Sequence, residues 1–136
     1  MKLIFCTDER GGMAFNKRRV SRDKLMIADL AEYVGDGIIY AEPYSEELFS
    51  GTPLNLICSS SPERSAEEGE FVFLETRSPK EAAQDAEELI IYNWQRRYPF
   101  DTAMGFRPEE LGFKLKSRLE FKGNSHDLII REVYFK

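Results

Sequence analysis

The chain has 136 residues, 42% hydrophobic and 32% charged, with 24 acidic against 19 basic side chains and a net charge of −5. That length suits one domain, 1–136, whose core needs neither metal nor disulfide. The acidic balance argues against a general nucleic-acid coat or an anionic membrane surface unless the cations gather on one face, and a lone histidine, His126, excludes a multi-histidine metal site.

In chain order, "KLIFCT" (Lys2 to Thr7) is a short apolar run ended by "DERGG", which predicts a buried strand and then a glycine loop. Ser21 is a suitable N-cap for a helix whose apolar face is Met26, Ile27, Leu30, Ala31 and Val34, with Gly35 and Gly37 ending it. "IIYA" (Ile38 to Ala41) predicts a second buried strand, followed by one or two helical turns in "PYSEELF". Further strands are expected at Leu54 to Ser60 and Glu70 to Glu75, joined by the polar loop "SSPERSAEEG". "SPKEAAQDAEE" has the capping-box pattern: Ser78 at the cap, Pro79 at the first helical position and Glu81 three residues after the cap. "LIIYNW" returns as a strand. In the last quarter Phe113, Leu115, Leu119 and Phe121 alternate with Lys114, Lys116, Arg118 and Glu120, and "HDLIIREVYFK" follows "KGNS". This predicts an antiparallel C-terminal hairpin. Strands alternating with helices and closed by a hairpin make a mainly α/β sheet domain.

Cys6 and Cys58 each sit in an apolar run and read as small core residues of a protein in a reducing compartment. The start "MKLIFCTDER" has too short an apolar segment for a signal peptide, and no stretch approaches the roughly 20 apolar residues of a membrane span. The expected location is cytoplasmic, with no membrane partner.

Two regions resemble dihydrofolate reductase. "LIFCTDERGGMAFN…SRD" is similar to that family's first strand, its first loop and the helix bearing its active-site acid, with Asp23 at the matching place, eleven residues after Gly12. "DTAMGF…GFKL…LEF…NSHDLIIREVY" resembles the family's Asp-Thr segment and closing hairpin, with Asp101, Thr102, Phe106, Glu120, Phe121 and Glu132 in matching order. The resemblance implies a mixed central sheet with flanking helices and a C-terminal antiparallel hairpin. It also implies an NADPH cofactor, for which the family uses an Arg-Thr-bearing segment after its second strand and a Gly-Gly turn before a later helix. Here the second strand leads into "YAEPYSEELF", and aligning "LIIYNW" with the family's later strand deletes the strand, Gly-Gly turn and helix before it. Without close backbone approach at those glycines a pyrophosphate loses its amide donors, so the cofactor is left unassigned.

The candidate site gathers around "FNKRRVSRD". Asp23 is the candidate catalytic acid, which in the reductase reading hydrogen-bonds a pterin and helps deliver a proton. As a plain structural residue it favours the helix dipole by roughly 0.3–1 kcal/mol. Arg18, Arg19 and Arg22, with Lys17, are candidate clamps for a phosphate or carboxylate. Arg96 and Arg97 in "WQRRYP" are interleaved with aromatics, and Asn16 is a candidate ligand hydrogen-bonder. All these arginines have a plainer reading as partners of surface carboxylates. Ser125-His126-Asp127 is no catalytic triad, since adjacent residues do not converge, and His126 is expected at the surface or in a turn. The "F-N-x-R-R-x-S-x-D" and "G-x-S-H" patterns are also similar to short bacterial proteins labelled ribonuclease Z, but that enzyme's metal motif needs histidines this chain lacks.

The reading is therefore a divergent, noncatalytic or altered dihydrofolate reductase-like protein that binds an anionic small molecule, nucleotide- or pterin-like, near the first loop and helix. The alternatives are an active NADPH-dependent reductase and a protein- or RNA-interaction module.

Overall fold

The computed structural model describes all of residues 1–136. Its centre is the strand Lys2–Thr7 (β1), whose Leu3, Ile4 and Phe5 are fully buried. A strand apolar on both faces belongs inside a sheet covered on both sides. β1 pairs in parallel with Phe71–Phe73 (β6) on one side and Glu88–Asn93 (β7) on the other. Beyond β6 lie Ile38–Ala41 (β4) and Asn55–Cys58 (β5), both parallel. Beyond β7 the chain turns antiparallel through Ile129–Phe135 (β10) to the edge strand Lys114–Phe121 (β9). The seven-stranded order is β5-β4-β6-β1-β7-β10-β9. A second sheet of three short strands, Gly12–Phe15 (β2) flanked by Arg18–Arg19 (β3) and Thr102–Ala103 (β8), folds the first loop against the connector after β7. The mixed central sheet, flanking helices and closing hairpin expected from the sequence are all present.

One face of the large sheet is covered by Lys24–Val34 (α1), which buries Met26, Ile27, Leu30 and Val34 against Ile4, Ile39, Phe73, Ile90 and Tyr92. The opposite face packs Ala82, Ala83, Phe106 and Phe113 onto Leu3, Phe5, Leu89 and Ile91. Small side chains on the short helix Lys80–Ala83 (α3) let its backbone lie close to that face.

Four local expectations change. The N-cap of α1 is Asp23, not Ser21: Asp23 is extended (φ −155°, ψ 128°) and its carboxylate accepts from the amides of Leu25 and Met26. Ser21 is two residues too early because its hydroxyl is bound to His126 instead. The polar loop after β5 contains one helical turn, Pro62–Ser65 (α2). The helix expected from Ser78 begins only after Pro79 and is a single α-turn, extended by i→i+3 bonds as far as Ala86. It stops there because Glu88 must already be paired beside Lys2 in the sheet.

The hairpin differs in a more informative way. Opposite residues of an antiparallel pair share a face; Val133 faces Ser117, while the next residue, Tyr134, faces Leu115. Two steps of β9 therefore answer one step of β10, a β-bulge around Lys116. Val133 belongs to the α1-side core and Tyr134 to the α3-side core. Leu115 and Leu119 thus point to opposite faces, and both are exposed (51% and 41%). The hairpin is as expected, but the alternating apolar residues of β9 do not line a single face.

Candidate functional site

Asn16 and Lys17 both have positive φ (51° and 62°), a two-residue reverse turn that suits the twist of the β2–β3 hairpin. The turn sends the next two residues back over the sheet. Arg18 is exposed and forms no ion pair, whereas Arg19 reaches inward. Its guanidinium meets Glu75 as a fork, Nε to Oε1 at 2.8 Å and Nη2 to Oε2 at 3.0 Å, and lies 4.5 Å from the centre of the Tyr44 ring. The Ser45 hydroxyl donates to the same carboxylate. Glu75 follows β6 at the carboxyl end of the parallel strands, the edge at which open α/β sheets take their ligands.

Both partners are largely buried, the Arg19 and Glu75 side chains being 15% and 6% exposed. Burial works against the Arg19 cation, but the hydrogen bond and charge of Glu75 outweigh it and raise its pKa above the ordinary value. Beneath them the Cys6 thiol is kept protonated by burial first and by the Glu75 charge second. At the outer rim Glu47 bridges two arginines, 2.8 Å from Arg22 Nη1 and 3.6 Å from Arg19 Nη1, with its side chain 63% exposed.

Behind this mouth stands a second polar cluster. Asp23 is buried, and its Oδ1 accepts from the amides of Leu25 (2.9 Å), Met26 (3.2 Å) and Asn124 (2.9 Å). Oδ2 accepts from the Ser125 amide (2.8 Å) and from His126 Nδ1 (2.9 Å), and lies 3.3 Å from the Ser125 hydroxyl. Burial alone would push this carboxyl up. The Asn124 amide, the His126 ring and the Ser125 and Met26 amides more than reverse that and hold it well below the usual carboxylate range. Asp23 therefore ties the start of α1 to the β9–β10 turn. Gly123 in that turn leaves the room this requires, since a Cβ there would lie 2.5 Å from Asp23 Oδ2.

His126 is not a surface histidine: it is 3% exposed and stacked on Trp94 at 4.7 Å. Its Nε2 lies 2.9 Å from the Ser21 hydroxyl and 3.0 Å from that of Tyr98. The turn that carries it is pulled inward because Asp23 and His126 satisfy one another.

The remaining sequence candidates sit apart from one another. Asn16 lies at the hairpin tip, its amide donating to Asp101. Arg22 is exposed and held by Glu47. Arg96 is exposed with no ion pair, and Arg97 is exposed beside Glu9. Cys58 is half-buried rather than core, and both cysteines are free. Nothing in the local sequence marks Glu75, Tyr44, Ser45, Glu47, Ser21 or Tyr98 as ligand or site residues. Their partners are 25 to 105 residues away. A cavity of about 390 Å³ at the ends of β5 and β6 is lined by Ser60, Ser61, Glu63, Arg64 and Arg77 among others.

Contrary to the deletion that the resemblance implies, a strand–turn–helix unit does precede "LIIYNW": β6, the turn at Glu75 to Pro79, and α3. What that turn lacks is glycine. It offers Glu75 bound to Arg19, Arg77 bound to Glu42 and Glu63, and Pro79, which has no N–H. Glu42 stands at the end of β4 on the same edge. Carboxylates and paired guanidiniums at that edge do not fit a pyrophosphate that needs close amide donors.

Against solved structures, the chain matches dihydrofolate reductase from Enterococcus faecalis, complexed with NADP(H) and RAB-propyl, over 98% of its own length and 94% of that chain, with a TM-score of 0.67 at 11% identity. The fold is dihydrofolate reductase-like. No protein-family model and no curated protein sequence matches. At so low an identity the likeness reaches the path of the backbone and leaves the side chains of the mouth to be judged by their own geometry. No helix of this dihydrofolate reductase-like chain is long and apolar enough to cross a membrane.

Proposed function

We propose that this dihydrofolate reductase-like protein is an altered, non-reductase member of its fold that binds an anionic small molecule at the mouth beside the first loop and α1. The observation that carries the reading is the Glu47 carboxylate, exposed and held between Arg19 and Arg22. A surface ion pair of this kind is worth at most about 1 kcal/mol, so a ligand carboxylate or phosphate can displace it and meet the same two guanidiniums. Arg19 is already fixed by Glu75, which lowers the ordering cost of binding. Tyr44, 41% exposed with Arg19 against its ring, offers an aromatic surface beside the anion position. Unpaired Arg18 adds positive charge nearby. The ligand class is a nucleotide- or pterin-like molecule bearing a phosphate or carboxylate.

Calorimetry with inorganic phosphate, nucleoside monophosphates and folates tests this. Saturable binding is expected, weakened about tenfold or more by Arg22→Ala and strengthened by Glu47→Gln, which removes the internal competitor's charge. Absence of heat with every one of these anions sinks the reading. NADPH and dihydrofolate in the presence of high protein concentration should give no loss of nicotinamide absorbance. Turnover there would restore the reductase alternative, and Asp23→Asn would then be the first variant to make.

A further inference from the structure

The second polar cluster has an arrangement that its capping role does not require. Asp23 Oδ2, His126 Nδ1, His126 Nε2 and Ser21 Oγ form an unbroken line of hydrogen bonds, 2.9 Å at each of its two links. Asp23 is ionised, so the proton on the near side of the ring belongs to Nδ1 and the lone pair of Nε2 faces Ser21. Trp94 stacked on the imidazole fixes the ring plane. The Tyr98 hydroxyl lies between the ring and the serine, 3.0 Å from Nε2 and 3.3 Å from Ser21 Oγ; with its single proton given to the serine oxygen, Ser21 gives its own to Nε2. Ser21 is half-exposed although its base and the base's orienting carboxylate are buried. The backbone amides of Ser21 and Arg22 donate to no acceptor within the protein. Tyr98 alone would satisfy the buried far nitrogen, so the Ser21 hydroxyl aligned on it goes beyond what burial of His126 requires.

We infer that Ser21 is an activated nucleophile, with His126 as its general base and Asp23 as the residue that orients His126, and that it attacks acyl esters. Recognition of such a constellation rests on geometry and roles, not on sequence order. The three residues come from the loop before α1 and from the β9–β10 turn, 103 to 105 positions apart. Ser21 Oγ bonds to the ester carbonyl carbon as its proton moves to His126 Nε2. The carbon–oxygen bond to the alcohol breaks, and the departing alkoxide takes that proton. Water then repeats the sequence, losing a proton to Nε2 while the acyl–serine bond breaks and Oγ recovers the proton, so that ester and water become acid and alcohol. Arg22, next in sequence and exposed, favours esters that carry a negative charge. The assignment is independent of whether the Arg19–Arg22 mouth binds an anion.

The test uses the full chain with a fluorophosphonate, which phosphonylates activated serines with loss of fluoride. Intact mass should rise by one phosphonyl group, and peptide mapping should place it on Ser21. The adduct should be absent from Ser21→Ala and at least tenfold slower to form in His126→Gln. Where His126→Gln does not fold, the comparison is wild-type protein in buffer against the same protein unfolded in urea, and labelling of Ser21 must vanish on unfolding. Folded wild-type protein without an adduct at Ser21 overturns the inference. So does labelling that proceeds equally well in folded His126→Gln or in urea.

Discussion

The Arg19–Glu75 mouth and the Asp23–His126 cluster lie next to one another, and both place ionisable groups out of water. They satisfy them differently. Asp23 is held by four backbone amides and a buried histidine, supplied by the start of α1 and the β9–β10 turn. Arg19 is held by one buried carboxylate and then, at its outer side, by an exposed glutamate that also serves Arg22. In the first cluster the Asp23 carboxylate has every partner inside the protein, and the second ends in a contact that solvent or a ligand can replace. The contrast teaches that burial alone does not tell whether a charged group can trade its partner for a ligand; the Asp23 carboxylate is fully occupied, while the outer partner of Arg19 is exchangeable.

The largest expected effect falls on the fixed cluster. Asp23→Ala removes the cap of α1 and leaves four amides and His126 without their acceptor, and should cost about 3–5 kcal/mol in urea unfolding. A cost below about 1 kcal/mol would break the comparison. The same carboxyl predicts an acid limb. Its folded pKa lies below the unfolded value of about 3.9, so its contribution is complete above about pH 5 and drains away as the pH falls toward the folded value. Asp23→Asn should flatten that limb in a melting-temperature series.

Glu75→Ala comes next. It strands a largely buried Arg19 cation, and a loss of about 2–3 kcal/mol is expected because Arg19 keeps some access to water. Gly123→Ala should lose about 1–3 kcal/mol by overpacking, as its Cβ would meet both Asp23 and Ile129. The smallest effect belongs to the rim. Glu47→Gln should change stability by no more than about 0.5 kcal/mol, which a denaturation midpoint will show, while still altering anion affinity. A large loss of stability there would mean that Glu47 is fixed after all.

Much of the sheet was readable in the sequence because its strands advertise themselves locally. β1, β4 and β7 are apolar runs bounded by polar turns, and α1 shows its face at helical spacing. The cap was misplaced by two residues since Ser21 and Asp23 both qualify by type, and only the β9–β10 turn decides between them. That Arg19 differs from Arg18 and Arg22 was also hidden. In a strand, neighbours point to opposite sides, and which side holds Glu75 depends on β6 packing against β1. His126 looked like a turn residue, and it does lie in a turn. Its burial comes from Trp94 and Asp23, which no local pattern connects to it.

The irregularity at Lys116 reaches beyond the hairpin itself. An edge strand with eight residues and free amides on one side is a template on which another chain can crystallise into a growing ribbon. Such growth needs a flat register and a continuous greasy stripe. The extra residue in β9 twists the edge and divides Leu115 from Leu119 across the two faces. Lys114, Lys116 and Arg118 repel an identical edge approaching in the same alignment. The cost is two exposed leucines; the return is an edge poorly matched to pairing with a second copy.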